Sequence, residues 1–214
     1  MGDVLWIGSG NRIVANQNVS DSEYWNDRYL AGETGWDRGR VAPPVARMID
    51  EGVAAGRALL VLGAGRGHEA IYAALKGLDV TAVDFAEAAV ETMRLRAAEQ
   101  KAKLAALERD LFTLPQTHEG QFGAALEHLA FSVVDPKRRP EYAKAVHAVL
   151  APGGIYFGLF FAHDREGGPP FATSEVEVRE LFSPLFEIER LVQAADSFPS
   201  RAGEELEFVF RRKP

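Results

Sequence analysis

Gly63, Gly65 and Gly67 cluster directly after the apolar run Ala58 to Leu62, and an acid, Asp84, ends the next apolar run, Val80 to Val83. Other polar residues fall at similar points. Asp110 comes shortly after Leu104 to Leu107, and Glu127 with His128 stand just past Phe122 to Leu126. A residue without Cβ lets backbone approach a ligand closely. A carboxylate at the tip of the following strand can accept both hydroxyls of a ribose. Together they suit a cofactor that carries a nucleoside. Asp110 offers an acceptor to an adenine amino group, or else caps its own turn. His128, with an ordinary pKa near 6.5, suits a group that takes a proton or orients an acceptor, or one that only hydrogen-bonds near the strand end.

The glycine spacing narrows the cofactor. A dinucleotide site reads G-x-G-x-x-G and rests a pyrophosphate on the helix N-terminus. Here the third position of that pattern is His68, and the spacing is G-x-G-x-G. That suits a ligand without a pyrophosphate, such as S-adenosylmethionine (SAM), an adenosine with an amino-acid tail. A nicotinamide oxidoreductase on a similar fold is the competing enzyme reading, and His68 argues against it.

These residues need elements to hold them. Ala58 to Leu62 is too short for a helix and reads as a buried parallel strand. A helix follows with Ile71, Ala74 and Leu75 on one face, closed by Gly77, and Val80 to Val83 is the second strand. Upstream, Asp21 or Ser22 caps a helix carrying Trp25, Tyr29 and Leu30, which Gly32 ends. Pro43-Pro44 opens another with Val45, Met48 and Ile49 inward. Residues 1–20 read as an irregular arm. Downstream come a helix over Ala86 to Lys101, a strand over Leu104 to Leu107, and a loop from Leu114 to Gly120. Then follow a strand from Phe122 to Leu126, a helix from Glu141 to Leu150, a sharp turn over 151–154, and a strand from Ile155 to Phe161. After the loop 163–174, a helix capped by Ser174 leads to strands over Leu185 to Leu191 and Glu205 to Arg211. The last alternates as an antiparallel strand with one exposed face would. Strands alternating with helices predict an α/β, Rossmann-like sandwich on a seven-stranded, mostly parallel sheet. One domain over 1–214 is expected, with 1–50 as arm and covering helices.

Bulk properties exclude several classes. The chain has no cysteine, so disulfides, thiolate zinc sites and cysteine nucleophiles drop out, and a cytoplasmic location fits. The net charge of −7 disfavours a nucleic-acid partner. No apolar run is long enough for a bilayer, so no membrane partner is expected. The histidines are scattered without ligand spacing, and no metal is expected. A small-molecule acceptor and a monomer or weak homo-oligomer remain.

Several segments also match known motifs. VLGAGRGHEA, VTAVDFAEAAV, Asp110-Leu111-Phe112 and VLAPGG resemble those of class I SAM-dependent methyltransferases. WNDRYLAGETGWDRGRVAPP and GGPPFATSEVEVRELF are similar to the N-terminal signature and the loop of the thiopurine, thiol and halide methyltransferase family. The resemblance implies that Trp25 and Tyr29 cover the cofactor and that Trp36 lies between cofactor and substrate. Gly63, Ala64 and Gly65 would line the methionine part, Asp84 hold the ribose, Phe85 pack on the adenine, and Asp110 with Leu111 flank it. Glu127 and His128 would both face the transferred methyl. Apart from the resemblance, the aromatic faces of Trp36, Phe131 and Phe171 suit contact with the sulfonium or an apolar acceptor, and Arg201, before the last strand, suits an anionic acceptor or else is a solvated surface residue. At Leu129, Ala130 and Ser132 the chain departs from the family's usual Thr, Phe and Cys. Sulfur or halide is the implied acceptor, with an N- or O-methylated heterocycle, or a non-catalytic SAM-binding module, as alternatives.

Overall fold

A computed structural model describes residues 18–214. The helices are α1 (Ser22–Ala31), α2 (Pro43–Asp50), α3 (His68–Leu75), α4 (Glu87–Glu99), α5 (Pro115–His118), α6 (Ala130–Val133), α7 (Arg139–Val149) and α8 (Glu175–Phe182). The strands are β1 (Ala58–Leu62), β2 (Asp79–Asp84), β3 (Ala105–Glu108), β4 (Phe122–His128), β5 (Leu150–Phe161), β6 (Phe186–Gln193) and β7 (Glu205–Arg212). They form one sheet in the order β3-β2-β1-β4-β5-β7-β6, and only β7 runs antiparallel to its neighbours. The chain leaves β1 toward β2 and β3 and returns on its other side as β4. The carboxyl ends of β1 and β4 therefore flank the point where strand order reverses, the usual ligand position in an open α/β sheet.

The apolar runs are continuous because the sheet is covered on both faces. Leu60, Leu62, Tyr156, Phe160 and Phe208 pack on one face toward α7 and α8. Leu59, Val61, Phe157 and Leu159 pack on the other with Val45, Met48, Val90 and Met93 of α2 and α4. A third cluster seats Tyr24 and Trp25 of α1 on Ala86 and Ala89 at the start of α4.

Several expectations need correction. Leu30 and Leu75 are exposed, at 71% and 53%. The segment after Leu114 contains the short α5. Residues 151–154 belong to β5 as an irregularity in its pairing with β4. β7 has no solvent face: it lies between β5 and β6, and its acids are buried. Glu207 pairs with Arg47 and Arg190, and Glu205 with Arg201. Alternation in β7 thus marks a face covered by ion pairs. Glu127 and His128 are the last residues of β4, inside the strand. The arm expected over 1–20 lies, for residues 1–17, outside the described residues.

Candidate active site

A cleft of about 860 Å³ opens at the carboxyl ends of β1, β2 and β4, roofed by α1 and the segment that carries Trp36. Its floor is the turn after β1. Gly63 and Gly65 both take positive φ, 53° and 54°. A Cβ at Gly63 would lie 2.7 Å from that of Ala130, and one at Gly65 would lie 2.8 Å from the Tyr29 hydroxyl. The turn is held from below by α6 and from above by α1. Any side chain there would push one of them aside.

Asp84 closes this turn. Its carboxylate accepts the amides of Gly65 at 2.8 Å and Ala86 at 3.0 Å. A carboxylate has about four acceptor positions, so capacity remains for hydroxyls in the cleft. Burial raises the Asp84 pKa, and the amide hydrogen bonds oppose that. Phe85, Asp110 and Leu111 line the same end. One Asp110 oxygen caps its own turn by accepting the Phe112 amide at 2.9 Å. Overhead, Trp25 and Tyr29 each meet Trp36 edge to face, at 5.5 and 5.6 Å between ring centroids. Asp37 anchors this roof by accepting from Arg66 and bonding His68 at 2.8 Å. Those bonds hold its carboxyl well below the usual range, with the His68 contact the largest contribution.

The other end is charged. His128 Nδ1 lies 2.9 Å from Glu69 at the start of α3, and Nε2 lies 3.1 Å from Arg201 Nη1. Arg201 also donates to the Trp36 carbonyl at 2.5 Å. Glu205 stands behind, 3.9 Å from His128 Nε2 and 3.4 Å from Arg201. Burial alone would lower the His128 pKa. The two carboxylates outweigh it and raise the ring to about 9. Arg38, Arg165, Pro169 and Pro170 complete this end.

Three expected residues lie elsewhere. Glu127 is fully buried on the opposite side, accepting the Phe131 amide at 2.8 Å and the Tyr142 hydroxyl. Successive strand residues point to opposite faces. His128 and Glu127 therefore cannot both reach the cleft. Phe131 sits in the core against Tyr142 and Phe160, at 5.5 and 5.1 Å. Phe171 is half-buried and does not line the cleft; it packs beside Gly168 and donates its amide to Ser132. Sequence reasoning gave no role to Asp37, Glu69 or Glu205. The signal for Glu69 was local, an acid in the first turn of the helix after the glycine loop.

The family model described as thiopurine S-methyltransferase (TPMT) matches residues 20–212. The chain belongs to this family. Among its relatives, the probable thiol methyltransferase 2 of Arabidopsis thaliana is 29% identical over 164 residues, 75% of this chain and 72% of that protein. Thiocyanate methyltransferase 1 of Brassica oleracea is 28% identical over 185 residues, 85% and 81% of the two. The fold matches a crystal structure of Burkholderia thailandensis 1,6-didemethyltoxoflavin-N1-methyltransferase with bound 1,6-didemethyltoxoflavin and S-adenosylhomocysteine. The TM-score is 0.76 at 19% identity, covering 97% of this chain and 94% of that one.

As a member of the TPMT family the chain is a SAM-dependent methyltransferase. The residues present fit that cofactor: a buried carboxylate with spare acceptor capacity, a side-chain-free turn, and aromatic faces suited to a sulfonium. Among the described residues no helix is long and apolar enough to cross a membrane.

Proposed function

We propose that this enzyme methylates the sulfur of a small thiol or thiopurine-like molecule, or a halide-like anion. Asp84 holds the cofactor's ribose, Phe85, Asp110 and Leu111 border its adenine, and Gly63 to Gly65 run along its amino-acid tail. Trp25 and Tyr29 cover it, and Trp36 separates it from the acceptor. SAM, when bound, supplies an electrophilic methyl whose bonding pair stays with the cofactor's sulfur as the acceptor's pair forms the new bond. The chain's task is then to bind, align and dry the acceptor, and alignment alone is worth ~7–11 kcal/mol of barrier.

One observation carries the choice of acceptor: the far end of the cleft presents His128, Arg201, Arg165 and Arg38 together. A soft anion is drawn to such a site. A protonated amine finds no free partner there, because the carboxylates at this end are engaged: Glu69 by His128, Glu204 by Arg165 and Glu205 by Arg201. The names of the thiol and thiocyanate relatives agree with this direction. The reading also takes residues 1–214 as one domain, with 1–50 as arm and cover, acting in the cytoplasm as a monomer or weak homo-oligomer. Incubation with methyl-labelled SAM and a panel of thiols, thiocyanate, iodide, purines and N-heterocycles tests it. S-methylated or halide-derived products are expected. Methylation confined to nitrogen or oxygen would contradict it.

A further inference from the structure

We infer that Glu127 is a positioning residue for the methyl transfer: from the far side of the sheet it caps α6, the wall against which the cofactor turn and the loop of Pro169 and Pro170 both rest. This goes beyond the acceptor reading above and holds for any acceptor. It rests on that reading only in running the cofactor's tail along Gly63. The need for a cap is local. The chain leaves β4 through Leu129, a residue with a Cβ in the left-handed region, at φ 74° and ψ −13°. That conformation is unfavourable for leucine. α6 then has four residues, far too few for a helix to be stable alone. Its first amides lack intrahelical partners, and Leu129, at the cap position, has no side-chain acceptor to offer them.

Glu127 supplies what Leu129 cannot. Its Oε1 accepts the Phe131 amide at 2.8 Å, and the Ala130 amide also stabilises the carboxylate. Its Oε2 accepts from the Tyr142 hydroxyl of α7, which lies 3.2 Å from the Tyr156 hydroxyl of β5. All three side chains are fully buried, so the cap is anchored to a helix and to the sheet at once. The Phe131 ring packs on the same Tyr142, at 5.5 Å between centroids.

α6 passes this placement to both ends of the cleft. Ala130 fills the space beside Gly63, where a Cβ would lie 2.7 Å from its own. The Ser132 carbonyl accepts the Phe171 amide at 2.7 Å, and so holds the loop that brings Pro169 and Pro170 to the cleft. Leu129, Ala130 and Ser132 line the cleft themselves. A shift of about 1 Å in such a wall can cost up to about a hundredfold in rate. What the α6 amides require of Glu127 is an acceptor oxygen, not a charge. Burial raises its pKa to about 7, so the neutral acid is within reach near neutrality.

Glu127→Leu, Glu127→Gln and Phe122→Leu test this, each compared with wild type for Tm, SAM affinity by calorimetry and the KM of whichever acceptor is turned over. Phe122 is a buried control at the opposite end of β4. Glu127→Leu is expected to weaken SAM binding about tenfold and to raise the acceptor KM about tenfold. Glu127→Gln keeps an acceptor oxygen and should stay within about threefold of wild type in both. Phe122→Leu should lower Tm and move neither. A Glu127→Leu protein with lowered Tm but unchanged SAM affinity and KM overturns the proposal, because Glu127 then only stabilises the fold. Glu127→Gln as impaired as Glu127→Leu overturns it too, and a rise in KM alone overturns the link through Gly63. If Glu127→Leu does not fold, it is made in Leu129→Gly, since glycine takes the left-handed region freely. SAM affinity equal to that of Leu129→Gly alone then overturns the proposal, and weaker binding supports it. Methylation confined to nitrogen or oxygen would sink the sulfur reading and leave these comparisons as they stand.

Discussion

Replacing Asp84 with asparagine probes the cofactor end with one atom pair changed. The carboxylate accepts the amides of Gly65 and Ala86 at 2.8 and 3.0 Å. Asparagine keeps one acceptor oxygen and turns an NH₂ toward the other amide. An unsatisfied buried donor costs about 1–3 kcal/mol. Part of that is offset, because burial raises the Asp84 pKa and so its ionisation already costs the fold. The net stability loss should sit at the lower end, a Tm decrease of roughly 2–4 °C at this chain length. Affinity should suffer more. A hydrogen bond to a charged group contributes about 1.5–3 kcal/mol, which is at least a tenfold weakening for one ribose hydroxyl. Isothermal calorimetry with SAM and with S-adenosylhomocysteine reads this. A Kd unchanged within about twofold in a folded Asp84→Asn protein would refute the ribose assignment.

Other outcomes follow from the packing. Gly158→Ala would put a Cβ 1.9 Å from the Glu127 carbonyl oxygen, between two paired strands. A cost of ~3 kcal/mol or more is expected, a Tm fall of roughly 6–12 °C, and a fall under about 2 °C would contradict the pairing. Burial pushes the Glu127 pKa up to about 7 despite its hydrogen bonds from Tyr142 and Phe131. A pKa raised on folding means stability that is full below the unfolded pKa near 4.5 and lost as pH rises toward 7. Glu127→Gln should therefore gain Tm relative to wild type at pH above 7, and an equal or larger gain in acid would oppose this. Arg139 is buried and holds the proline loop through the carbonyls of Ala172 at 2.9 Å and Phe171 at 3.4 Å. Arg139→Met should raise the acceptor KM about tenfold by loosening Pro169 and Pro170 at the cleft, while SAM affinity holds. Equal losses in both would argue against a local role.

The cofactor end was legible in the sequence because its parts are local. Gly65 and Asp84 lie within one β-α-β unit, whose spacing alone brings them to 2.8 Å. The acceptor end was not. Glu69, His128, Arg201 and Glu205 come from four separate elements, and only the strand order joins them. The apolar run ends at Leu126, two residues before β4 does, and so misplaces Glu127. Two more residues of strand turn a presumed loop pair into neighbours on opposite faces. Leu30 and Leu75 are exposed for a related reason: helical spacing tells which residues share a face, not how wide a face is covered. Glu205 and Glu207 looked solvated because alternation cannot reveal that arginines of α2 and β6, and Arg201 before β7, cover that side.

A crystal structure with S-adenosylhomocysteine tests the central claim most directly. The ribose is expected on Asp84, the adenine against Phe85 and Leu111, and the sulfur pointing past Trp36 toward His128. Ribose hydroxyls without contact to Asp84, or a sulfur directed away from His128 and Arg201, would contradict it.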